Sequence, residues 1–186
     1  NENISASSNI SVIVLNGGSF SITSGVSIVF AGSFQAGLIR TFYGDGYPRF
    51  YINSIEYQYP EWHGADSTGV DNSTSAIQKC MDTVLLTDIT DISFVGKYAP
   101  DIFFTGKYKV MLPGVIMNRR CSMFGVDARR SSIEYGSLTG QCITIGYTSG
   151  AITSVPTTAN PFIVYGHNTT NVAYIDTSGN TYLAGN

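Results

Sequence analysis

Charge is scarce in this chain. Lys, Arg, Asp and Glu together supply 12% of the 186 residues, and the formal net charge is -3. A nucleic-acid partner would demand a basic face for its phosphates, so that class is not expected. Histidine is scarcer still, with two residues, and no Ser-His-Asp arrangement, Walker loop or GxGxxG motif is present. Nucleophile activation therefore has little to draw on. The three cysteines, Cys80, Cys121 and Cys142, stand at spacings of 41 and 21 with no CxxC. No zinc site and no other metal or cofactor is expected from them; they read as buried free thiols of a protein folded in a reducing cytoplasm. No apolar run reaches the roughly 18 residues a membrane helix needs, and the mean hydropathy is +0.08, so membrane insertion is not expected. The N-terminus carries neither a signal-peptide pattern nor Met, as a trimmed or partial chain would.

What is abundant is β-forming sequence cut by small polar residues. From Ile10 to Ile55 the chain runs in Val, Ile, Phe, Ser and Thr broken by glycines, with Asp45-Gly46 as a turn signal. After Gly106 the same texture returns, in segments of about five residues with turns at Pro113-Gly114, Gly125, Gly136 and Gly146. Low charge with many Ser, Thr, Asn and Gly residues suits a fibrous β protein rather than a disordered chain or a coiled coil.

Between the two runs lies YPEWHGADSTGVDNSTSAIQKCMD, Tyr59 to Asp82. Pro60 fixes its own φ and biases Tyr59 toward extended geometry, while Gly64 and Gly69 permit tight turns. Asn72 or Ser73 can accept hydrogen bonds from the open amides of a following helix, and Ser75 with Gln78 has the spacing of a capping box. Ala76, Ile77, Cys80, Met81 and Val84 form the apolar stripe of a short amphipathic helix. A single helix between two runs of strands reads as a cap over the open end of a strand stack.

This stretch resembles the lead-in of phage tailspikes and pectate-lyase-like right-handed β-helices, where a PEWWGA…GDG.TDD..AIQ.A.D pattern precedes a capping helix and the coil. The residues at the motif's positions here are Pro60, Glu61, Trp62, Gly64, Ala65, Gly69, Asn72, Ser73, Ala76, Ile77 and Gln78. The preceding AGSFQAGLIRTFYGDGYPRFYINSIEYQ is similar to the strand-rich region found before that motif in tail proteins. Ser67-Thr68-Gly69 replaces Gly-Asp-Gly, and Asn72 and Ser73 replace paired aspartates. These residues still suit turns and caps but supply no hard-cation site. His63 stands where a second aromatic is frequent and reads as a packed side chain.

An enzyme of this family would need two carboxylates roughly 5 to 10 Å apart in a groove. Asp88 and Asp91 sit in a polar loop and read as turn residues, leaving Asp127 and Glu134, which flank RRSSIE, as the pair to test. Arg119, Arg120, Arg129 and Arg130 are the concentrated positive charge; they could meet an acidic polysaccharide or a subunit interface, or lie at solvated loop ends. Tyr57, Tyr59 and Trp62 belong to an aromatic cluster that could stack on sugars or pair across strands.

The end of the chain reads as a Ser, Thr and Pro rich linker, followed by FIVYG and NVAYIDTSGNTYLAGN, which alternate and turn at Ser178-Gly179-Asn180 as a hairpin would. This resembles IDSSGN…G elements of trimeric phage tail fibres. The expected organisation is thus mostly β: a strand-rich attachment and trimerisation region at 1–58, a capping helix with a short right-handed parallel β-helix at 59–146, a linker at 147–161 and a fibre-like β segment at 162–186. With rungs of roughly 20 residues, the stretch from Gly106 to Gly146 holds about two. Glycine-punctuated apolar strands such as Ser11 to Phe30 call for a partner surface, and the resemblance implies a homotrimer. It also implies a structural virion component, a tail fibre or tailspike in its N-terminal or adaptor part. Such a protein is assembled in the bacterial cytoplasm, attached to tail or baseplate proteins, and carries or presents the host-receptor-binding region. The alternative is a polysaccharide lyase or glycoside hydrolase acting on bacterial surface glycan, a depolymerase.

Overall fold

The computed structural model describes residues 3–86, 98–117, 121–127, 129–137, 142–145, 162–165, 171–175 and 181–183. The chain opens with β1 (Ile4–Ala6), β2 (Val12–Val14) and β3 (Phe20–Ser21), and a second set follows in β4 (Ser27–Phe30), β5 (Phe34–Ala36) and β6 (Phe42–Tyr43). After β7 (Tyr47–Tyr51) come a 3-10 turn at Pro60–His63, β8 (Thr68–Asn72), the helix α1 (Thr74–Asp82) and β9 (Val84–Leu86). The later strands are β10 (Ile102–Phe104), β11 (Lys107–Val110), β12 (Val115–Met117), β13 (Met123–Gly125), β14 (Ser132–Tyr135), β15 (Ile143–Ile145), β16 (Phe162–Tyr165), β17 (Asn171–Ile175) and β18 (Thr181–Leu183).

Almost all neighbours in these ladders are parallel and come from successive circuits of the chain. Ile4 pairs with Ile28 and Ser27 with Tyr47, Val12 with Phe34, and Phe20 with Phe42, so each face recurs after 20 to 24 residues. The result is a parallel β-solenoid of about five turns. Strands of two to five residues stabilise nothing alone; each is fixed by the strand of the next circuit and by the side chain it turns inward. Phe30, Phe34, Phe42, Phe50 and Trp62 fill the first interior with Ile22, Ile28 and Val14. Phe30 stacks on Phe50 with ring centroids 5.5 Å apart, and Phe34 on Phe42 at 5.6 Å. A second interior holds Ile77, Cys80, Met81, Ile102, Phe104, Tyr108, Val110 and Val115.

One expectation is corrected here. The strands before the helix are not a lead-in to a coil, because parallel pairing begins at Ile4 and β1, β4, β7 and β9 form one continuous sheet. The helix lies within the coil, and it stretches the recurrence to 35 residues between Arg49 and Val84. Asp45-Gly46 does turn, but it carries the chain from one face to the next rather than closing a hairpin. Gly46 is required there because an added Cβ would lie 2.3 Å from Ile22 Cγ2 and 2.5 Å from Thr23 O of the preceding circuit.

The Tyr59–Asp82 segment behaves locally much as its residues dictate. Tyr59 is extended, Pro60 opens the 3-10 turn, and Gly64 ends it in the left-handed region at φ 91°. Gly69 is also left-handed. Ala76, Ile77, Cys80 and Met81 are the buried face of α1, whereas Val84 has left the helix and starts β9. The expected capping box does not form. Asn72 Oδ1 accepts from the Thr74 N–H at 3.0 Å, but Ser73 Oγ turns to Asp66, accepting from its N–H and donating to its carbonyl. Gln78 reaches out of the helix to β12, where its Oε1 accepts from Ile116 N–H at 2.7 Å and its Nε2 donates to Ile116 O at 3.0 Å.

At the far end β12, β15, β16, β17 and β18 form one sheet, parallel as far as β16 and antiparallel after it. Tyr174 and Tyr182 are register partners in the antiparallel pairing of β17 with β18, the backbone arrangement of a hairpin. The linker at 147–161 and the turn at Ser178 to Asn180 lie outside the described residues. No helix among the described residues is long and apolar enough to cross a membrane.

Candidate functional site

An open concavity lies where the coil loses its regular pairing. On the second face, β5 pairs with β2 on one side only. In the next circuit Asn53 adopts φ 70°, and the backbone from Ile55 onward departs from β5 until Gln58 bridges to Ile102 of the following circuit. An open groove of about 690 Å³ results, lined by Ser33 to Ala36, Asn53 to Tyr57, Tyr59 and Trp62. Glu56 stands exposed at its mouth. Tyr57 packs its ring 5.4 Å from Phe103 and 5.4 Å from Phe124, and partial desolvation, then the Glu56 carboxylate, raises its hydroxyl pKa.

Of the aromatic candidates, Tyr57 and Tyr59 are half-buried and reach the groove. Trp62 is 2% exposed, its Nε1 donates to Gly37 O at 2.9 Å, and its ring meets Phe34 and Tyr59 edge-on at 5.3 Å. It is a core residue and has no face to offer a sugar.

Of the carboxylate candidates, Asp127 has structural partners. Asp127 Oδ1 accepts from the N–H groups of Arg129 and Arg130 at 2.8 and 2.9 Å, and its Oδ2 lies 3.3 Å from Arg130 Nε. It organises its own exposed turn. Glu134 is exposed on β14 opposite Lys109 of β11, and no hydrogen bond or ion pair among the described residues joins it to Asp127. Arg129 and Arg130 are exposed loop residues. Arg119, Arg120, Asp88 and Asp91 lie outside the described residues.

A buried polar cluster escaped the sequence reading. Glu61 is 7% exposed; its Oε1 accepts from the Tyr108 hydroxyl at 2.7 Å and from the Thr105 hydroxyl. Burial, foremost, pushes Tyr108 up to about 12. Gln58 is fully buried, and its Nε2 donates to Cys80 O at 2.7 Å. Glu61 and its partners lie 44 and 47 positions apart in sequence, so no local pattern announces them. His63 is buried 5.5 Å from the Phe42 ring, and burial, followed by the charges of Lys79 and Arg40, pushes it down to about 3. It is a packed neutral imidazole, as the sequence suggested. The described residues hold no group of three His, Cys, Asp or Glu able to bind a metal, and Cys80, Cys121 and Cys142 are free thiols.

Fold and site together place the chain in the class of parallel β-solenoids with a side groove. Compared with protein-family models, curated proteins and solved structures, it matches none.

Proposed function

We propose that this chain is a structural segment of a bacteriophage tail fibre or tailspike, attaching to the tail and carrying or presenting the receptor-binding region. In this reading the coil is right-handed, α1 caps the start of the ladder that β12 begins, and three copies associate in the virion through the first circuits. The observation that carries it is the coil itself: successive circuits stack a common aromatic interior along one direction, the construction that spaces two attachment points apart. Ile4, Ile10, Ile13 and Leu15 are 61, 49, 64 and 74% exposed in the first circuit, which supports a partner surface there. The turn-forming role of Asp127 speaks against a cleavage site built on it and Glu134.

The test joins mass and activity. Light scattering should give about 60 kDa, three times the 20.0 kDa chain, and the protein should leave capsule and lipopolysaccharide uncleaved. Antibody labelling should mark the tail of intact particles. A monomer that cleaves glycan, with cleavage lost in Asp127→Asn or Glu134→Gln, would establish the depolymerase instead.

A further inference from the structure

We infer that the groove beside β5 is a binding slot for a short extended peptide segment carrying Lys or Arg. In a parallel strand the N–H and C=O of one residue point to one neighbour and those of the next residue to the other. The Val12 N–H bonds to Ser33 O, and the Phe34 N–H bonds to Ser54 O at 2.8 Å. Gln35 therefore faces β2, while the Phe34 carbonyl and both backbone groups of Ala36 face the groove. Among the described residues those three groups have no hydrogen-bond partner. One end of the slot is closed by the Phe34–Ser54 bond, and Trp62 lines the other. Phe34 to Gly37 spans three residue steps, so the slot is about 10 Å long at roughly 3.3 Å per extended residue. An occupant of about three residues fits, and its own backbone supplies what the next circuit of the coil withholds.

Charge selects the occupant further. Glu56 lines the groove and is exposed. No basic residue lines the groove. A cationic side chain on the segment meets Glu56, while a small apolar one lies against Ala36 and Ile55 of the groove wall.

The probe is acetyl-Lys-Val-Lys-amide, titrated into the full chain and followed through the fluorescence of Trp62, the single tryptophan, and the NMR shift of the Ala36 amide. Saturable binding is expected, with the Ala36 amide moving. Glu56→Gln should weaken binding about two- to fivefold, the range of an exposed ion pair. Ala36→Pro removes the free N–H on the open edge, where proline is tolerated, and should weaken binding at least about tenfold with the melting temperature held. If that variant fails to fold, the same peptide N-methylated at Val takes its place and should bind equally poorly. No saturable change at millimolar peptide, an unmoved Ala36 amide, or full binding after Ala36→Pro or N-methylation overturns the inference. So does a neutral oligosaccharide that fills the groove while the peptide does not.

Discussion

Replacing Gln78 with Ala should destabilise the coil at a distance from the helix that carries it. The side-chain amide meets both hydrogen-bonding groups of Ile116, at 2.7 and 3.0 Å, and also Asp82 Oδ1 at 3.2 Å. It thereby stands in for a strand on the side of β12 that has none. Truncation leaves an N–H and a C=O unpaired, at about 1–3 kcal/mol each when water is excluded. The position is half-buried, so water recovers part of this, and about 2–3 kcal/mol in all is expected from urea unfolding. Exchange of the Ile116 amide should accelerate locally by roughly ten- to a hundredfold, at about 1.4 kcal/mol per factor of ten. Gln78→Glu keeps the shape and the acceptor but loses the donor and adds charge beside Asp82. It should match or exceed the Ala variant at neutral pH and recover partly below about pH 4.3, where a protonated carboxyl can donate again. Ser75→Ala is the control: Ser75 is exposed and should change stability by less than about 0.5 kcal/mol. If Gln78→Ala costs no more than the control, the strand-substitute reasoning is wrong; if Ser75→Ala costs as much, the helix uses a capping box after all.

Phe50 is fully buried between Phe30 and Phe34, at 5.5 and 5.4 Å, so Phe50→Ala should cost about 3–5 kcal/mol in denaturant unfolding, and Phe50→Leu clearly less. Acid should act through two residues in successive windows that overlap between about pH 3 and 3.8. His63 has its pKa lowered from 6.5 to about 3 by folding, so the unfolded chain binds the extra proton between those values. Stability therefore falls as pH drops from 6.5 towards 3, by on the order of 4 kcal/mol, and His63→Phe should flatten that slope. Asp66 is lowered from 3.8 to about 2 by hydrogen bonds from the Asp71 amide and from Thr68; its contribution is present above pH 3.8 and lost towards pH 2. Asp66→Asn should remove that step, read by melting temperature against pH.

The sequence revealed what lies within one segment and hid what lies between circuits. The stripe of Ala76, Ile77, Cys80 and Met81 and the geometry of Tyr59, Pro60 and Gly64 are set by neighbours a few residues away, and they were legible. Membership of Ile4–Phe50 in the coil was not, because strands of two to five residues are too short for alternation to show which side faces inward. The usable signal was long-range: Phe30 and Phe50 stand 20 residues apart and Phe20 and Phe42 stand 22, and both pairs stack. Gln78 was misassigned because the capping-box spacing is local while its real partner, Ile116, lies 38 positions on. For Trp62 the sequence left sugar stacking and packing both open, because an aromatic cluster looks alike in sequence whether it faces solvent or the core; the structure buries it at 2% exposure.

A solenoid whose circuits are interchangeable has no built-in length. Each finished strand offers the next one a template, so unchecked growth is the natural tendency of such a stack. Gln78 shows how one face can be closed inside such a stack: a side chain occupies the template on β12 while the neighbouring faces carry on. A helix residue thus sets where a single ladder starts, independently of the circuits around it.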